Sequence, residues 1–474
     1  MQLNRRQFLG SAAVLLLPLA LFVAVTARLF ISEAAFDLTG LAAAGVLTLF
    51  SGSLLAKAPS EYWKAAVRGA SSELTGTIVL ILIASGIFSA MMKASGVADG
   101  LVFLGGMLHL TGHAFTVFVL LASSLMAAAT GSSIGTLLAA MPIFFPAGVA
   151  LGADPTMLAG AVLSGAIFGD NLAPISDVTV ISSVTQRFRN GTPADIAGVV
   201  RTRLPYAMIA LAVSLPVYAF MGESLPVSEA ALSGDASALL MLVPVAVLIA
   251  VAVRTRDVLM AISVGVVTGT ATGLLIGRLS FATIFAAVDG RLSGFLISGI
   301  SNVSPIILLC VTLFAFTGIV REAGVPDMMA KALEAGSAGR PSALRTELFL
   351  SAATLVVTTL FAAVTSASVA LVGSLTDDIG RASNVHPYRR SHILSGLANS
   401  LPVLMPFSAF VLITMAAVSG LEGAAAVTPF TLMTAAFYPI ALFLVFGFMV
   451  LTGTGRMMET PEPEAAEAKT ATAL

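Results

Sequence analysis

The chain has 474 residues, of which 57% are apolar and only 10% are charged, and its mean hydropathy is +0.99. Soluble domains carry about 25% charged residues, so this composition excludes a soluble protein and predicts a polytopic membrane protein. The formal net charge of −1 lacks the basic excess that a nucleic-acid partner requires. The single cysteine, Cys310, excludes an intramolecular disulfide, and its apolar neighbours indicate a core position. Because the sequence has no phosphate-binding loop or dinucleotide fingerprint, it indicates neither ATP-driven pumping nor a cofactor.

Apolar runs of about 20 residues, the length that crosses a bilayer core, predict ten full spans. These spans are Phe8–Ala27, Ala35–Leu54, Leu74–Met92, Met157–Ser183, Leu204–Met221, Ala238–Val253, Leu259–Ile276, Pro305–Val320, His392–Val418 and Phe430–Thr452. Two further apolar stretches, Ala114–Leu151 and Leu348–Leu375, are interrupted by small polar residues, which predicts re-entrant hairpins. The predicted fold is therefore all-α, with two hairpins among the spans.

Lysine and arginine residues in the connecting segments predict the orientation. They all fall on one side if both interrupted stretches are hairpins, and by the positive-inside rule that side is the cytoplasm. The segments contain Arg5 and Arg6; Lys57, Lys64 and Arg68; Arg187, Arg189, Arg201 and Arg203; Arg254 and Arg256; Arg321 to Arg345; and Arg381, Arg389 and Arg390. The predicted location is the bacterial inner membrane, among its lipids, with both termini cytoplasmic. Asp377 and Asp378 are interpreted as part of a solvated loop.

The two ends of the chain are predicted to be a basic start to the first span and a disordered tail. The start, Asn4 to Leu9, looks like a twin-arginine export signal, but such a signal precedes a soluble passenger and here further apolar spans follow. A basic cytoplasmic start to the first span is the preferred interpretation. Residues 456–474 are polar, acidic and contain proline, which predicts a disordered cytoplasmic tail.

Four short motifs recur in the same order in both halves, at offsets of 232, 228, 235 and 228 residues. The paired motifs begin at Ser85 and Thr317, Gly96 and Gly324, Thr130 and Thr365, and Asn171 and Asn399. They predict two membrane repeats, residues 1–221 and 222–455, each with five spans and one hairpin. An odd number of crossings inverts the second repeat, and inverted repeats are typical of secondary transporters that work by alternating access.

The motif from Gly169 to Ser183 lies within a predicted span. Pro174 removes a backbone donor, so nearby carbonyls lose their helical partners and the helix is expected to break. Oxygen ligands suit a hard cation, and the predicted Na+ site is centred on Asp177. The other predicted ligands are Asp170, Asn171, Ser176 and Thr179. Buried carboxylates can also take a proton, although Asp170 could instead cap a half-helix or neutralise an arginine.

The hairpin tips and the second break supply further polar groups. The predicted tip residues are Thr130, Ser132 and Ser133 in the first repeat and Thr365, Ser366 and Ser368 in the second. Half-helix ends attract an anion to their amides or a cation to their carbonyls, and small residues could alternatively serve close helix packing. The second break lacks a carboxylate, so Asn399 and Ser400 are expected to serve a neighbouring ion or substrate position.

These motifs resemble the NhaC-type Na+/H+ antiporter family. The likeness rests on the motif from Gly169 to Ser183, on Ala129 to Thr136, and on the segments 386–390 and 396–402. It implies the ion-transporter superfold of inverted repeats with re-entrant hairpins, and it is compatible with a homodimer. Ala173, Val178 and Asn171 depart from the family pattern, which usually has serine, threonine, and histidine or lysine there.

Three functions follow as hypotheses. The first is an antiporter that exchanges Na+ for H+ by alternating access. The second is a Na+- or H+-coupled carrier of a small organic acid or amino acid, whose carboxylate would lie near Ser132 and Ser366. The third is a channel or a membrane scaffold, against which the inverted repeat argues. No nucleophile, base and orienting group can be assembled, so an enzyme is not indicated.

Overall fold

The computed structural model describes residues 13–28, 38–223, 225–227, 235–255, 257–288, 290–324 and 342–459. Nearly all of these residues are helical, which confirms the predicted all-α polytopic fold. The one sheet in this part of the chain is an unpredicted hairpin of β1 (Ala286–Val288) and β2 (Arg291–Ser293), paired antiparallel with Ala287 opposite Leu292. The predicted span residues 8–12 and 35–37 lie outside the described residues.

The helices follow the order of the apolar segments. Those of the first half are α1 (Ala13–Ala27), α2 (Leu38–Leu55), α3 (Pro59–Ala70), α4 (Glu73–Ser95), α5 (Val97–Met107), α6 (Gly112–Thr130), α7 (Ser133–Ala150), α8 (Pro155–Leu172), α9 (Asp177–Val184) and α10 (Ile196–Phe220). Those of the second half are α11 (Leu242–Thr255), α12 (Val258–Leu275), α13 (Phe281–Ile284), α14 (Phe295–Glu322), α15 (Ala343–Leu360), α16 (Thr365–Ala382), α17 (Pro387–Ala398), α18 (Leu401–Leu404), α19 (Ala409–Val418), α20 (Pro429–Ala435) and α21 (Phe437–Thr452). Two short 3-10 helices, Ala236–Met241 and Ala424–Ala426, join them.

Nine helices within the described ranges are long and apolar enough to cross a membrane, and eleven spans result if each of two bent pairs is counted as one. The pair that contains α17 to α19 bends by 52°, as the break predicted in His392–Val418 requires. The pair α20 and α21 bends by 55°, although a continuous span was predicted there. Pro439 cannot donate to the carbonyl of Ala435, which instead accepts from the Tyr218 hydroxyl at 2.7 Å.

The first predicted hairpin is a pair of helices, α6 and α7, joined at Gly131 and Ser132. Gly131 adopts φ 66°, a left-handed conformation that suits glycine. At 1.5 Å per residue the arms are about 28 and 27 Å long, and both are among the nine helices able to cross a membrane. Whether the two arms form a re-entrant hairpin or cross the membrane as two full spans, the chain returns to the side from which it entered. The predicted orientation of the later segments is therefore the same for both arrangements.

The tip of the second hairpin differs from the prediction. The turn between α15 and α16 is residues 361–364, with Ala362 and Ala363 at positive φ, and Thr365 is already the first residue of α16. No glycine or proline marks this turn, so the sequence match to Thr130 placed the tip about one helical turn too late. Helix α16 carries charges in its second half and is not among the helices that could cross a membrane.

Several helices begin in segments that were predicted as loops. The amphipathic helix α3 begins with Pro59 and buries Tyr62, and α5 packs against α7 and the 3-10 helix Ala236–Met241. Helix α10 begins at Ile196, eight residues before the predicted span, because the Asp195 side chain caps it by accepting from the Gly198 amide at 2.7 Å. Arg203 is consequently helical and fully buried, which corrects its assignment to a cytoplasmic loop.

The centre of the molecule is formed by α8 and α9. The most apolar 18-residue segment of these two helices is 83% buried, whereas the corresponding segments of α10 and α12 are each 28% buried. Small residues allow close contact with α6: a Cβ on Gly169 would lie 2.1 Å from the carbonyl oxygen of Ser124, and one on Gly165 would lie 2.4 Å from that of Leu120. The broken helix is therefore enclosed by protein on most sides.

The described end of the chain is ordered. The His386 amide donates to the Met457 carbonyl at 3.0 Å, and the Glu459 amide donates to the Asn384 carbonyl at 2.8 Å. Residues 456–459 are therefore not part of a disordered tail, contrary to the prediction. The remainder of the predicted tail, 460–474, lies outside the described residues.

Candidate ion-binding site

The first helix break has the predicted position. Helix α8 ends at Leu172 and α9 begins at Asp177, and the four residues between them include Pro174. The Ala173 amide closes α8 by donating to the carbonyls of Gly169 and Asp170. Asp170 and Asn171 thus occupy the last turn of α8, and Ser176 is the N-cap residue of α9.

Asp170 is the buried carboxylate of this break, with 5% of its surface exposed. The Ser133 hydroxyl, at the start of α7, donates to Asp170 Oδ2 at 2.7 Å. The Ser176 side chain and the Arg203 guanidinium also interact with this carboxylate. Asp170 Oδ1 has no hydrogen-bond partner among the described residues. One carboxylate oxygen is therefore held by the hairpin, and the other accepts no hydrogen bond in the described structure.

Asn171 offers a second buried acceptor. Its Nδ2 donates to the Tyr438 hydroxyl of α21 at 3.1 Å, whereas its Oδ1 has no partner in the described structure. Buried polar atoms are nearly always hydrogen-bonded, so acceptors without a donor on two consecutive residues indicate a site for a proton or a cation. Carboxylate and amide oxygens are the ligands that hard cations prefer.

Asp177 differs from its predicted environment. It is the first residue of α9 and is exposed, and it lines a cavity of about 320 Å³ together with Thr130 and Ser132. Residues seven apart share a face only on a continuous helix, and the four-residue break removes that register. Asp177 and Asp170 thus have different surroundings, and Asp170, not Asp177, is the buried acid.

The hydroxyls of the first tip have local partners. Ser132 caps α7 by accepting from the Gly135 amide at 3.0 Å, and Thr130 Oγ1 donates to the carbonyl of Met126. The tip amides are thus partly occupied, and the tip reaches the buried acid through Ser133. Helices α11 and α12 form the opposite wall of the cavity.

The second break brings a different set of groups. Asn399 is buried and neither atom of its amide has a partner in the described residues, whereas the Ser400 hydroxyl donates to the Leu397 carbonyl near the end of α17. The Ser368 hydroxyl likewise donates to Val364. Thr365 is buried and Ser366 is half-buried at the start of α16. The cavity beside this tip, lined by Phe361, Val364 and Ala367 with Arg68, is separate from that beside Thr130.

Arg203 connects the two breaks and was missed as a site residue. Its Nη1 donates to Ser395 Oγ of α17 at 2.7 Å, and its Nη2 donates to Thr179 Oγ1 of α9 at 2.8 Å. The N-cap signal at Asp195, had it been applied, would have extended α10 back over this arginine. Thr179 therefore holds the guanidinium rather than facing the cavity beside Asp177.

Two more arginines predicted in a loop are buried in ion pairs. Arg389 Nε donates to Glu347 Oε1 at 2.9 Å, and Arg456 bonds the other oxygen of that carboxylate. Arg390 Nη1 pairs with Asp377 Oδ1 at 2.8 Å. Asp377 is therefore not in a solvated loop, because α16 continues as a helix past residue 377 and packs against α17.

The break, the enclosed carboxylate and the flanking hairpin define a class of protein. Multi-span membrane proteins with broken helices around a buried polar site have the architecture of secondary transporters. No group of three or more His, Cys, Asp or Glu side chains that could hold a metal ion occurs in the described ranges.

Residues 5–223, slightly less than half of the chain, match the model of the Na+/H+ antiporter family. This match confirms the NhaC-type resemblance over the region that contains the first hairpin tip and the first break. A malate-2H+/Na+-lactate antiporter of Bacillus subtilis is 31% identical over 176 residues, which are 37% of this chain and 36% of that protein. The Na+/H+ antiporter NhaC of Alkalihalophilus pseudofirmus is 28% identical over 280 residues, 54% of this chain and 58% of that protein.

The matched segments thus cover about one third and somewhat more than half of those two relatives' own lengths. Among solved structures, the YdaH transporter of Alcanivorax borkumensis is similar at a TM-score of 0.38 with 13% identity, over 80% of this chain and 86% of that one.

Proposed function

We propose that this protein is a secondary antiporter that exchanges Na+ for H+ across the bacterial inner membrane. The observation that carries the proposal is Asp170, which is buried beside a helix break and has one oxygen without a partner. A carboxylate in this position binds Na+ and H+ at the same atoms, so each ion displaces the other. That competition is sufficient to couple two opposing ion flows.

Each site residue has a role in this proposal. Asp170 Oδ1 and Asn171 Oδ1 bind the cation, with Ser176 nearby, and Ser133 orients the carboxylate from the hairpin. Asp177, exposed in the cavity of about 320 Å³, attracts the cation towards the break. Asn399 supplies an amide from the second repeat.

An inverted repeat with alternating access is part of the proposal. The element order supports it: α6, α7, α8 and α9 recur as α15, α16, α17 and α19. Pro155 and Pro387, which are 232 residues apart, each occupy the first position of the helix that precedes a break. The orientation with both termini cytoplasmic is supported by the basic segments around Lys64, Arg187 and Arg254.

The experiment uses proteoliposomes with an imposed proton gradient and a pH-sensitive dye, to which Na+ alone is added. Wild-type protein gives a Na+-triggered pH change. Asp170→Asn abolishes it, whereas Asp177→Asn retains exchange with a higher half-saturating Na+ concentration. Asp99→Asn, at an exposed aspartate paired with Arg278, is the matched control and behaves as wild type. Exchange that survives in Asp170→Asn contradicts the proposal.

A second candidate function is a cation-coupled carrier of a small organic acid or amino acid. The cavity of about 320 Å³ favours it, because that volume reaches the range of small-molecule sites and exceeds what one Na+ needs. The similar Bacillus subtilis protein is named for malate and lactate. In the same assay this function gives no response to Na+ until a dicarboxylate, hydroxy acid or amino acid is added.

A further inference from the structure

Arg203 is a fully buried guanidinium between the two broken helices. It reaches Thr179 with one terminal nitrogen and Ser395 with the other, and its Nε has no partner in the described structure. None of the ion pairs formed by the described residues includes it. Two neutral hydroxyls orient this cation but leave its charge without a directly bonded anion.

A buried charge is costly unless an opposite charge compensates it. Among the described residues, the groups that interact electrostatically with Arg203 are the Tyr438 hydroxyl and the carboxylate of Asp170, the acid of the proposed cation site. The arrangement differs from Arg389 and Arg390, each of which makes direct contact with its own carboxylate. Arg203 thus lies close enough to influence Asp170 and leaves the carboxylate oxygen Oδ1 open.

The register of the helices places Arg203 at the meeting point of the two breaks. Ser391 of α17 donates to the Ser182 carbonyl of α9, and one turn later Ser395 meets Thr179 through Arg203. The two helices therefore run in opposite directions along this contact. One further turn brings Asn399, with its unpartnered amide, towards the start of α9 at Ser176.

We infer that Arg203 is the fixed counter-charge of Asp170 and, as a positioning residue, sets how tightly the site holds its cation. This inference rests on the proposed function of Asp170. With the carboxylate ionised, the two groups sum to zero charge, and either Na+ or H+ brings the sum to +1. A like charge nearby weakens the binding of both ions, so each can be released to the next compartment.

The first test measures Na+ binding by purified protein in detergent, as the rise in melting temperature when NaCl replaces choline chloride at constant ionic strength. At a pH high enough to keep the site free of protons, Arg203→Gln removes the competing charge and lowers the half-saturating Na+ concentration by about tenfold, the size expected for one nearby charge. Arg203→Lys keeps the charge with fewer hydrogen bonds and stays near the wild-type value. Lys64→Gln, which removes an exposed positive charge, serves as the control.

Unchanged or weaker Na+ binding in Arg203→Gln overturns the inference while leaving the proposed function intact. A Na+ response that persists in Asp170→Asn instead overturns the proposed function. If Arg203→Lys binds Na+ more tightly than wild type, as Arg203→Gln does, the effect comes from the lost hydrogen bonds. That result also rejects a role of the Arg203 charge.

The second test does not depend on Na+ and covers the case in which Arg203→Gln folds poorly. Asp170→Asn and Arg203→Gln each leave one buried charge uncompensated, so each lowers the melting temperature in choline chloride. The double variant removes both charges and melts above either single variant. A double variant that melts at the temperature expected from adding the two single effects shows that the charges are independent, and the inference fails.

Discussion

At the scale of the single residue, one hydroxyl connects the hairpin to the buried acid. Ser133→Ala removes the donor to Asp170 Oδ2, and a hydrogen bond to a charged group contributes about 1.5–3 kcal/mol. We expect the half-saturating Na+ concentration of exchange to rise about tenfold or more, because the carboxylate loses the hydrogen bond that orients it. The measurement is the Na+ dependence of the pH change in proteoliposomes.

Ser368→Ala is the matched control for this prediction, since its hydroxyl donates to the carbonyl of Val364, the N-cap residue of its own helix. It should leave the Na+ dependence unaltered. Equal Na+ dependence in Ser133→Ala and wild type contradicts a link between the hairpin and the cation site.

The residue types of the site could be predicted from the sequence, but their environments could not. Polar residues around Pro174 identified the break, because proline acts locally on the backbone. The burial of Asp170 and the exposure of Asp177 depend on how the chain turns within the break, which periodicity does not encode. Arg203 was missed because an arginine near a span end was counted as a loop charge, although the Asp195 cap places it inside α10.

At the scale of the element, α8 depends on its contact with α6. Gly169→Val places a side chain against the Ser124 carbonyl, where even a Cβ would be 2.1 Å away. Overpacking of this kind costs about 1–3 kcal/mol or more, so the melting temperature of the purified protein should fall clearly. Gly76→Ala, in a helix where the added Cβ meets nothing within 4 Å, should not lower it. Equal melting of the two variants would show that α6 and α8 are not tightly packed.

Element positions were predictable where the chain marks them by apolar length or by proline. The spans and both breaks follow from these signals. The turn at Ala362 and Ala363 carries no such signal, and the bend near Ala436 depends on Tyr218, a residue far away in the chain. Helix α3 was missed because it is too polar and short for a span, yet it buries Tyr62 against its neighbours.

At the scale of the whole molecule, a buried ion-pair network joins α15, α17 and the chain end. Glu347 accepts from Arg389 and from Arg456 and is fully buried. Glu347→Gln leaves Arg389 buried without its anion, which typically costs about 3–5 kcal/mol. The melting temperature should therefore fall strongly, whereas Glu61→Gln, in an exposed pair with Lys64, should have little effect.

A melting temperature unchanged by Glu347→Gln would show that water compensates the Arg389 charge. The network also explains why residues 456–459 are ordered although their composition predicted otherwise. Composition describes a segment on its own, whereas Arg456 is held by a carboxylate more than one hundred positions earlier.

The contact between α6 and α8 also determines which parts can move. Where two backbones touch at Gly165 and Gly169, neither lipid nor water separates them, and one helix cannot slide along the other. The pair therefore behaves as a rigid unit that carries Asp170, whereas Ser133 belongs to α7, which follows the turn at Gly131. We expect the ion to stay nearly stationary during transport while the helices around this unit move relative to it.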